Sequence, residues 1–146
     1  MKQINIPGTN GKCGRVAVSY ELSLYIPGIK LESLNTSFGV ASMGAMFGRR
    51  AKAKKQRHGV AMVLRSEWGQ PPDPPLTVTI TRIAPRKLDC DNLVGSAKAC
   101  RDGVADWLGV DDRTSRSGVV WAYDQGKKGK KEYGVIIHID MGKEDD

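Results

Sequence analysis

The cleanest alternation of apolar and polar positions lies at Leu76-Thr-Val-Thr-Ile-Thr-Arg-Ile83, where β-branched residues recur with the period of a half-buried strand. The preceding Gln70-Pro-Pro-Asp-Pro-Pro75 admits neither helix nor central strand and delivers the chain into it. Val16 to Ile26 also alternates and stops at Pro27-Gly28, which predicts the first strand; residues 1 to 14, with Pro7, Gly8, Gly11 and Gly14, read as an irregular arm. Ile29 to Gly48 is rich in Ser, Gly and Asn and reads as a long loop. From about Phe47 to Trp68, Val60, Ala61, Val63 and Leu64 recur at helical spacing behind a basic block, predicting a helix with a positive first half. Leu93, Ala97, Val104, Trp107 and Leu108 give a second helix over Leu93 to Leu108, stopped near Gly109. Gly118 to Tyr123 and Tyr133 to Asp140 read as strands around the turn Asp124-Gln-Gly-Lys-Lys-Gly-Lys-Lys131, and their proximity favours a hairpin. The order strand, helix, strand, helix, strand, strand predicts an α/β (α+β) fold: a small mixed sheet with two main helices packed on it, its strand order open.

With 146 residues, 40% of them hydrophobic, the chain suits one domain over 1–146, with residues 141–146 as an acidic tail. A net charge of +7 favours a polyanionic partner, because each cation that meets a phosphate releases counterions. Charge alone fits a ribosomal or membrane-surface protein as well. Cys13, Cys90 and Cys100 are odd in number and lack Cys-x-x-Cys spacing, which argues against a disulfide framework or a thiolate zinc site and for a reducing, cytoplasmic setting. Cys90 and Cys100 read as small buried hydrophobes, and Trp68, Trp107 and Trp121 as core or interface residues. No apolar run approaches the roughly 20 residues that span a bilayer, so neither membrane insertion nor a signal peptide is expected.

Acidic residues nevertheless cluster at Asp89, Asp91, Asp102, Asp106, Asp111 and Asp112. In a protein that holds phosphates, carboxylates repel the ligand unless they carry a hard cation, and magnesium prefers oxygen ligands. On one continuous helix Lys98 and Asp102 would each lie within roughly 20° of Asp91 around the axis. Blander readings stand beside this one. Asp89-Cys-Asp-Asn92 suits an N-cap with a first-turn acid, Asp111-Asp112 a solvated turn, and Lys98, Asp102 and Asp106 a helix-surface series. The basic block Arg49, Arg50, Lys52, Lys54, Lys55, Arg57 and the cluster Lys127, Lys128, Lys130, Lys131 can each be a solvated face. His58 and His138 stand alone and are assigned no catalytic role.

The segment from Arg86 to Asp112 strongly resembles the RusA family of Holliday junction resolvases. It reads Arg-Lys-Leu-Asp-Cys-Asp-Asn-Leu, then a helix with Ala-Lys-Ala-Cys-Arg-Asp-Gly-Val, then Trp-Leu-Gly-Val-Asp-Asp. The likeness is clear from Leu76 through Tyr123 and looser upstream, where it rests on a strand ending in Pro27, on Asn35 and on a basic helix. It implies a homodimer cutting four-way DNA junctions by paired nicks with magnesium, manganese being a substitute, and no small-molecule organic cofactor. It also implies recombination and repair roles in the bacterial cytoplasm, typical of phage-borne members. Asp89 and Asp91 match the family's metal-binding aspartates, Asp112 the essential member of the later pair and Asp111 its companion. The family's lysine stands four residues after the second aspartate, where this chain has Gly95; Lys98, about one turn on, faces nearly the same way. On this reading Asp89, Asp91, Asp112 and Lys98 are catalytic and Asp89, Asp91, Asp111 and Asp112 bind metal. The block from Arg49 to Arg57, Arg86, Lys87 and the lysines from Lys127 to Lys131 contact DNA. The alternatives are a non-catalytic branched-DNA or RNA-binding module, and a nuclease acting on flaps or other branched DNA.

Overall fold

A computed structural model of the chain describes residues 3–5, 19–32, 43–110, 118–127, 129 and 131–143. In chain order the elements are β1 (Gln3–Asn5), β2 (Ser19–Pro27), α1 (Met43–Trp68), β3 (Leu76–Ile83), α2 (Cys90–Ser96), α3 (Lys98–Leu108), β4 (Val119–Gly126) and β5 (Gly134–Lys143). The strands form one mixed sheet in the order β1-β2-β5-β3-β4, in which only the β3–β4 pair is parallel. The fold is therefore the mixed α+β domain expected, and β3 has the predicted bounds.

The expected hairpin does not form. β4 pairs with β3 and β5 lies on β3's other side, so the residues joining β4 to β5 pass across the carboxyl end of β3. Hydrophobicity decides the order. Val135, Ile137 and Ile139 of β5 are fully buried, which suits a central strand, whereas β4 exposes Val120 (61%) and Asp124 and suits an edge. The predicted irregular arm contains β1, paired antiparallel with β2, and β5 continues through Lys143 into the predicted acidic tail.

Leu76, Val78 and Ile80 of β3 point with Leu24, Ile26, Val135, Ile137 and Ile139 into the core, closed by Val60, Leu64 and Trp68 of α1 and Cys100, Val104 and Trp107 of α3. Each such side chain contributes about 1.5–3 kcal/mol by leaving water. Helix α1 begins four residues before the expected Phe47, inside the stretch read as a loop. From Gly48 to Gly59 it buries no side chain, so it shows no apolar periodicity. The second predicted helix starts at Cys90 rather than Leu93 and is broken at Ala97 into two, giving three helices rather than two main ones. Gly109 ends α3 at φ 72°, the left-handed conformation that glycine adopts at low cost. Cys100 is buried, and burial pushes its thiol up to about 12; Cys90 is exposed, contrary to expectation, because it opens α2 at the surface. Cys13 lies outside the described residues.

Helices α1 and α3 meet at Gly103. A Cβ there would sit 2.5 Å from the Arg57 carbonyl oxygen and 3.0 Å from Val60 Cβ, so the α1 backbone occupies the space a side chain would need. Arg57 also donates from Nε and Nη2 to the two Asp106 carboxylate oxygens at 2.6 and 2.7 Å. Those hydrogen bonds, with the charges of Arg57 and His58, hold the Asp106 carboxyl below the usual aspartate range against the opposing effect of burial. Both partners are partly exposed, so solvent screening limits the pair to about 1 kcal/mol.

Gly103→Ala is expected to destabilise the fold by about 1–3 kcal/mol in urea unfolding, although helix propensity alone favours alanine by about 1 kcal/mol. Because the folded-state pKa of Asp106 is depressed, its pairing with Arg57 stabilises above the unfolded value of about 3.9 and is lost as pH falls through the folded value. Asp106→Asn should thus be less stable than wild type at pH 7 by no more than about 1 kcal/mol. That gap should close on acidification below the normal aspartate range, as followed by urea midpoints across pH.

Candidate nucleic-acid interface and carboxylate site

The α1–α3 crossing divides α1 in two. Residues after it enter the core; residues before it form one wall of an open cleft of about 430 Å³ whose other wall is the α2–α3 junction. Arg49, Lys52, Lys54 and Arg57 line it from α1, Lys98 and Asp102 from α3, and Lys30 and Glu32 from the segment after β2. Its carboxylates are engaged locally. Glu32 lies 3.1 Å from Lys52 and 3.8 Å from Lys30, and Asp102 lies 3.7 Å from Lys98 and 4.0 Å from Arg57. Arg50 and Lys55 are exposed on α1 but do not line the cleft.

The structure brings some of the expected residues together and separates others. Gly95 and Lys98 both line the cleft, so the family's lysine position and its proposed replacement face one space. Asp91 does not share that wall. The break at Ala97 puts it on α2 and Lys98 and Asp102 on α3, so the angle expected for one continuous helix does not apply. Asp111 and Asp112 lie outside the described residues, as do Lys128, Lys130 and Asn35.

Asp89 and Asp91 occupy the connection from the carboxyl end of β3 into α2, the end of a parallel strand pair where α/β sheets characteristically bind ligands. Asp89 is the N-cap residue of α2 by position and backbone angles, yet its side chain makes no capping hydrogen bond. Asp91 stands in the first turn, where the helix dipole favours a carboxylate. Both are exposed, and among the described residues neither carboxylate has a hydrogen-bond or ion-pair partner, although Arg86 and Lys87 are exposed just before them. Unspent carboxylate oxygens are the donors a hard divalent cation takes, so this pair fits two positions of a magnesium site. Among the described residues no group of three potential ligands converges, and the expected remaining ligands are the undescribed Asp111 and Asp112.

Cationic groups gather at the same end of the sheet. Because the β4–β5 connection passes across the end of β3, it sets Lys127 and Lys131 beside the segment that carries Arg86 and Lys87. Lys30 lies over the Tyr133 ring at 4.8 Å. Sequence reasoning missed two residues here. Arg82, 7% exposed, donates from Nε to the Leu31 carbonyl at 2.9 Å and from Nη1 to the Arg86 carbonyl at 2.6 Å, and burial lowers its pKa. Gln125 of β4 accepts from the Leu88 amide at 2.9 Å and donates to the Leu88 carbonyl at 2.8 Å. The one signal in the sequence was an arginine at an inward-facing position of an otherwise apolar strand face.

Among the described residues no helix is long and apolar enough to cross a membrane. No protein-family model matches the chain. An uncharacterized protein of Xylella fastidiosa (strain Temecula1 / ATCC 700964) is 40% identical over 72 residues, covering 44% of this chain and 47% of that protein. The match thus spans about half the length of that relative and carries its sequence likeness, not a function.

Proposed function

We propose that this chain is a magnesium-dependent endonuclease of the RusA type, acting on four-way DNA junctions as a homodimer. The observation that carries the reading is the state of Asp89 and Asp91: two exposed carboxylates in a basic setting, engaged by no described group, with Asp89 in the cap position but not capping. A pair retained only for its helix would be expected to direct an Asp89 oxygen to the orphan amides of the first turn. Asp89 and Asp91, joined by Asp111 and Asp112, hold the cation. When bound, that ion supplies Lewis-acid polarisation of a phosphoryl oxygen and the positive charge that lowers the pKa of an attacking water.

The remaining residues bind and orient DNA. Arg86 and Lys87 contact phosphates next to the carboxylates, and Lys127, Lys128, Lys130 and Lys131 extend that contact. Arg49, Arg50, Lys52, Lys54, Lys55 and Arg57 hold a junction arm through its backbone, giving recognition by shape with little base readout. Lys98, exposed on the cleft wall, offsets charge developing on the phosphoryl oxygens once DNA draws it from Asp102. A two-fold dimer presents two identical sites to two strands, as paired nicking requires.

The test is cleavage of a labelled four-way junction, a flap and a linear duplex, with magnesium and with chelator. Wild type should place paired nicks in the junction only with metal, and Asp91→Ala should bind the junction without cutting it. Full cutting by that variant sinks the assignment; metal-independent binding with no cutting by wild type supports a non-catalytic binding module, and preferential flap cutting a different branched substrate. The double variant Arg49→Ala, Lys52→Ala should weaken junction binding regardless of sequence. It should also lower the slope of log K against log salt by about 0.9 for each phosphate the variant no longer neutralises, as read by fluorescence anisotropy.

A further inference from the structure

Gln125 and Arg82 are Cα partners in the β3–β4 register, side by side at the carboxyl end of the parallel pair. Both reach the same short segment of backbone, the one that leaves β3 and enters α2 at Asp89. Arg82 holds the Arg86 carbonyl at 2.6 Å, and the Gln125 amide holds both the N–H and the C=O of Leu88 at 2.9 and 2.8 Å. Each anchor is fixed in turn. Arg82 is buried and also tied to the Leu31 carbonyl, and Gln125 lies on a strand whose backbone is laddered to β3 throughout. Three hydrogen bonds thus set the backbone immediately before Asp89, with Leu88 held at both its polar groups by one planar amide.

We propose that Gln125, assisted by Arg82, is a positioning residue for the Asp89–Asp91 carboxylate pair, fixing the Leu88 peptide groups so that both aspartates are presented in one geometry to a divalent cation. The proposal rests on the reading of that pair as metal ligands. Its physical basis is preorganisation. Neither carboxylate is held by a partner of its own among the described residues, so their mutual placement depends on the backbone that bears them. Groups that orient ligands in this way typically change metal affinity by 10- to 100-fold when removed. Gln125 does this at one remove, touching neither carboxylate.

The experiment compares wild type, Gln125→Met and Asp91→Ala by Mn2+ binding, read from the paramagnetic resonance signal of free Mn2+, and by backbone amide exchange. Methionine keeps the length of the side chain and removes both hydrogen bonds. In Gln125→Met the Leu88 amide should exchange at least about tenfold faster and Mn2+ affinity should fall by about tenfold or more. The amides of Val78 and Ile80 should stay protected, showing that the sheet is intact. Faster Leu88 exchange with unchanged Mn2+ affinity overturns the positioning role, and a Leu88 amide unprotected in wild type overturns the brace itself. Wild type that binds Mn2+ no better than Asp91→Ala overturns the carboxylate-site reading beneath the proposal, an outcome distinct from the other two. Should Gln125→Met lose protection at Val78 and Ile80, Gln125→Glu takes its place. It keeps the acceptor for the Leu88 amide and loses the donor to its carbonyl, and wild-type Mn2+ affinity in that variant overturns the proposal.

Discussion

The close approach of α1 to α3 at Gly103 organises the helical layer. Without a side chain at that position the α1 carbonyl of Arg57 lies against the α3 backbone, and the Arg57–Asp106 pair spans the same crossing. On one side of the crossing Val60, Leu64 and Trp68 descend onto the sheet with Val104 and Trp107, and the two tryptophan rings pack at 5.6 Å. On the other side the same helix carries residues 48–59, none of them buried, past the α2–α3 junction, and the space between becomes the basic cleft. One steric constraint therefore makes α1 both a core element and a cationic wall. It also helps to hold in place a helix that buries no side chain from Gly48 to Gly59, where a surface helix ordinarily carries an apolar stripe.

The sheet order has a comparable effect at the carboxyl end of β3. Because β5 is more apolar than β4, it takes the centre, and the chain must cross the end of β3 to reach it. That crossing gathers Lys127, Lys131, Tyr133 and the β3–α2 connection at one end of the sheet. A hairpin would have left β5 at an edge and removed Gly134 from its place beside Ile83. The parallel β3–β4 pair puts Arg82 and Gln125 in register there, one beneath the Arg86 carbonyl and the other across Leu88.

Much of this was legible in the sequence where period and burial coincide. The alternation of Leu76 to Ile83 gave β3 its bounds, and Gly109 marked the end of α3. The start of α1 was not legible: from Gly48 to Gly59 the helix buries no side chain and so leaves no periodic trace. Strand order was not legible from proximity, although the contrast between Val135-Ile-Ile-His-Ile139 and Val119-Val-Trp-Ala-Tyr-Asp124 held the clue. The break at Ala97 had no signal, since alanine is the best helix former. Of the candidate site, Asp89, Asp91 and the basic block stood out by charge against composition. Arg82 showed only as a charge on an apolar strand face and Gln125 not at all, because what both hold is main chain, and main-chain groups are the same in every sequence.

Glu32, Asp89, Asp91, Asp102 and Asp106 sort into two physical classes. Glu32, Asp102 and Asp106 each lie within ion-pair distance of a lysine or arginine, so their charge is offset within the chain and they temper the cleft without adding a binding group. Asp89 and Asp91 differ although cations are as close in sequence, at Arg86 and Lys87. The backbone there is held by Arg82 and Gln125, and the neighbouring side chains do not fold back onto the carboxylates. Rigid presentation of two like charges at a helix start costs electrostatic energy that only the first-turn dipole partly offsets, by about 0.3–1 kcal/mol. On the proposed reading a divalent cation held there removes that cost and reverses the local charge.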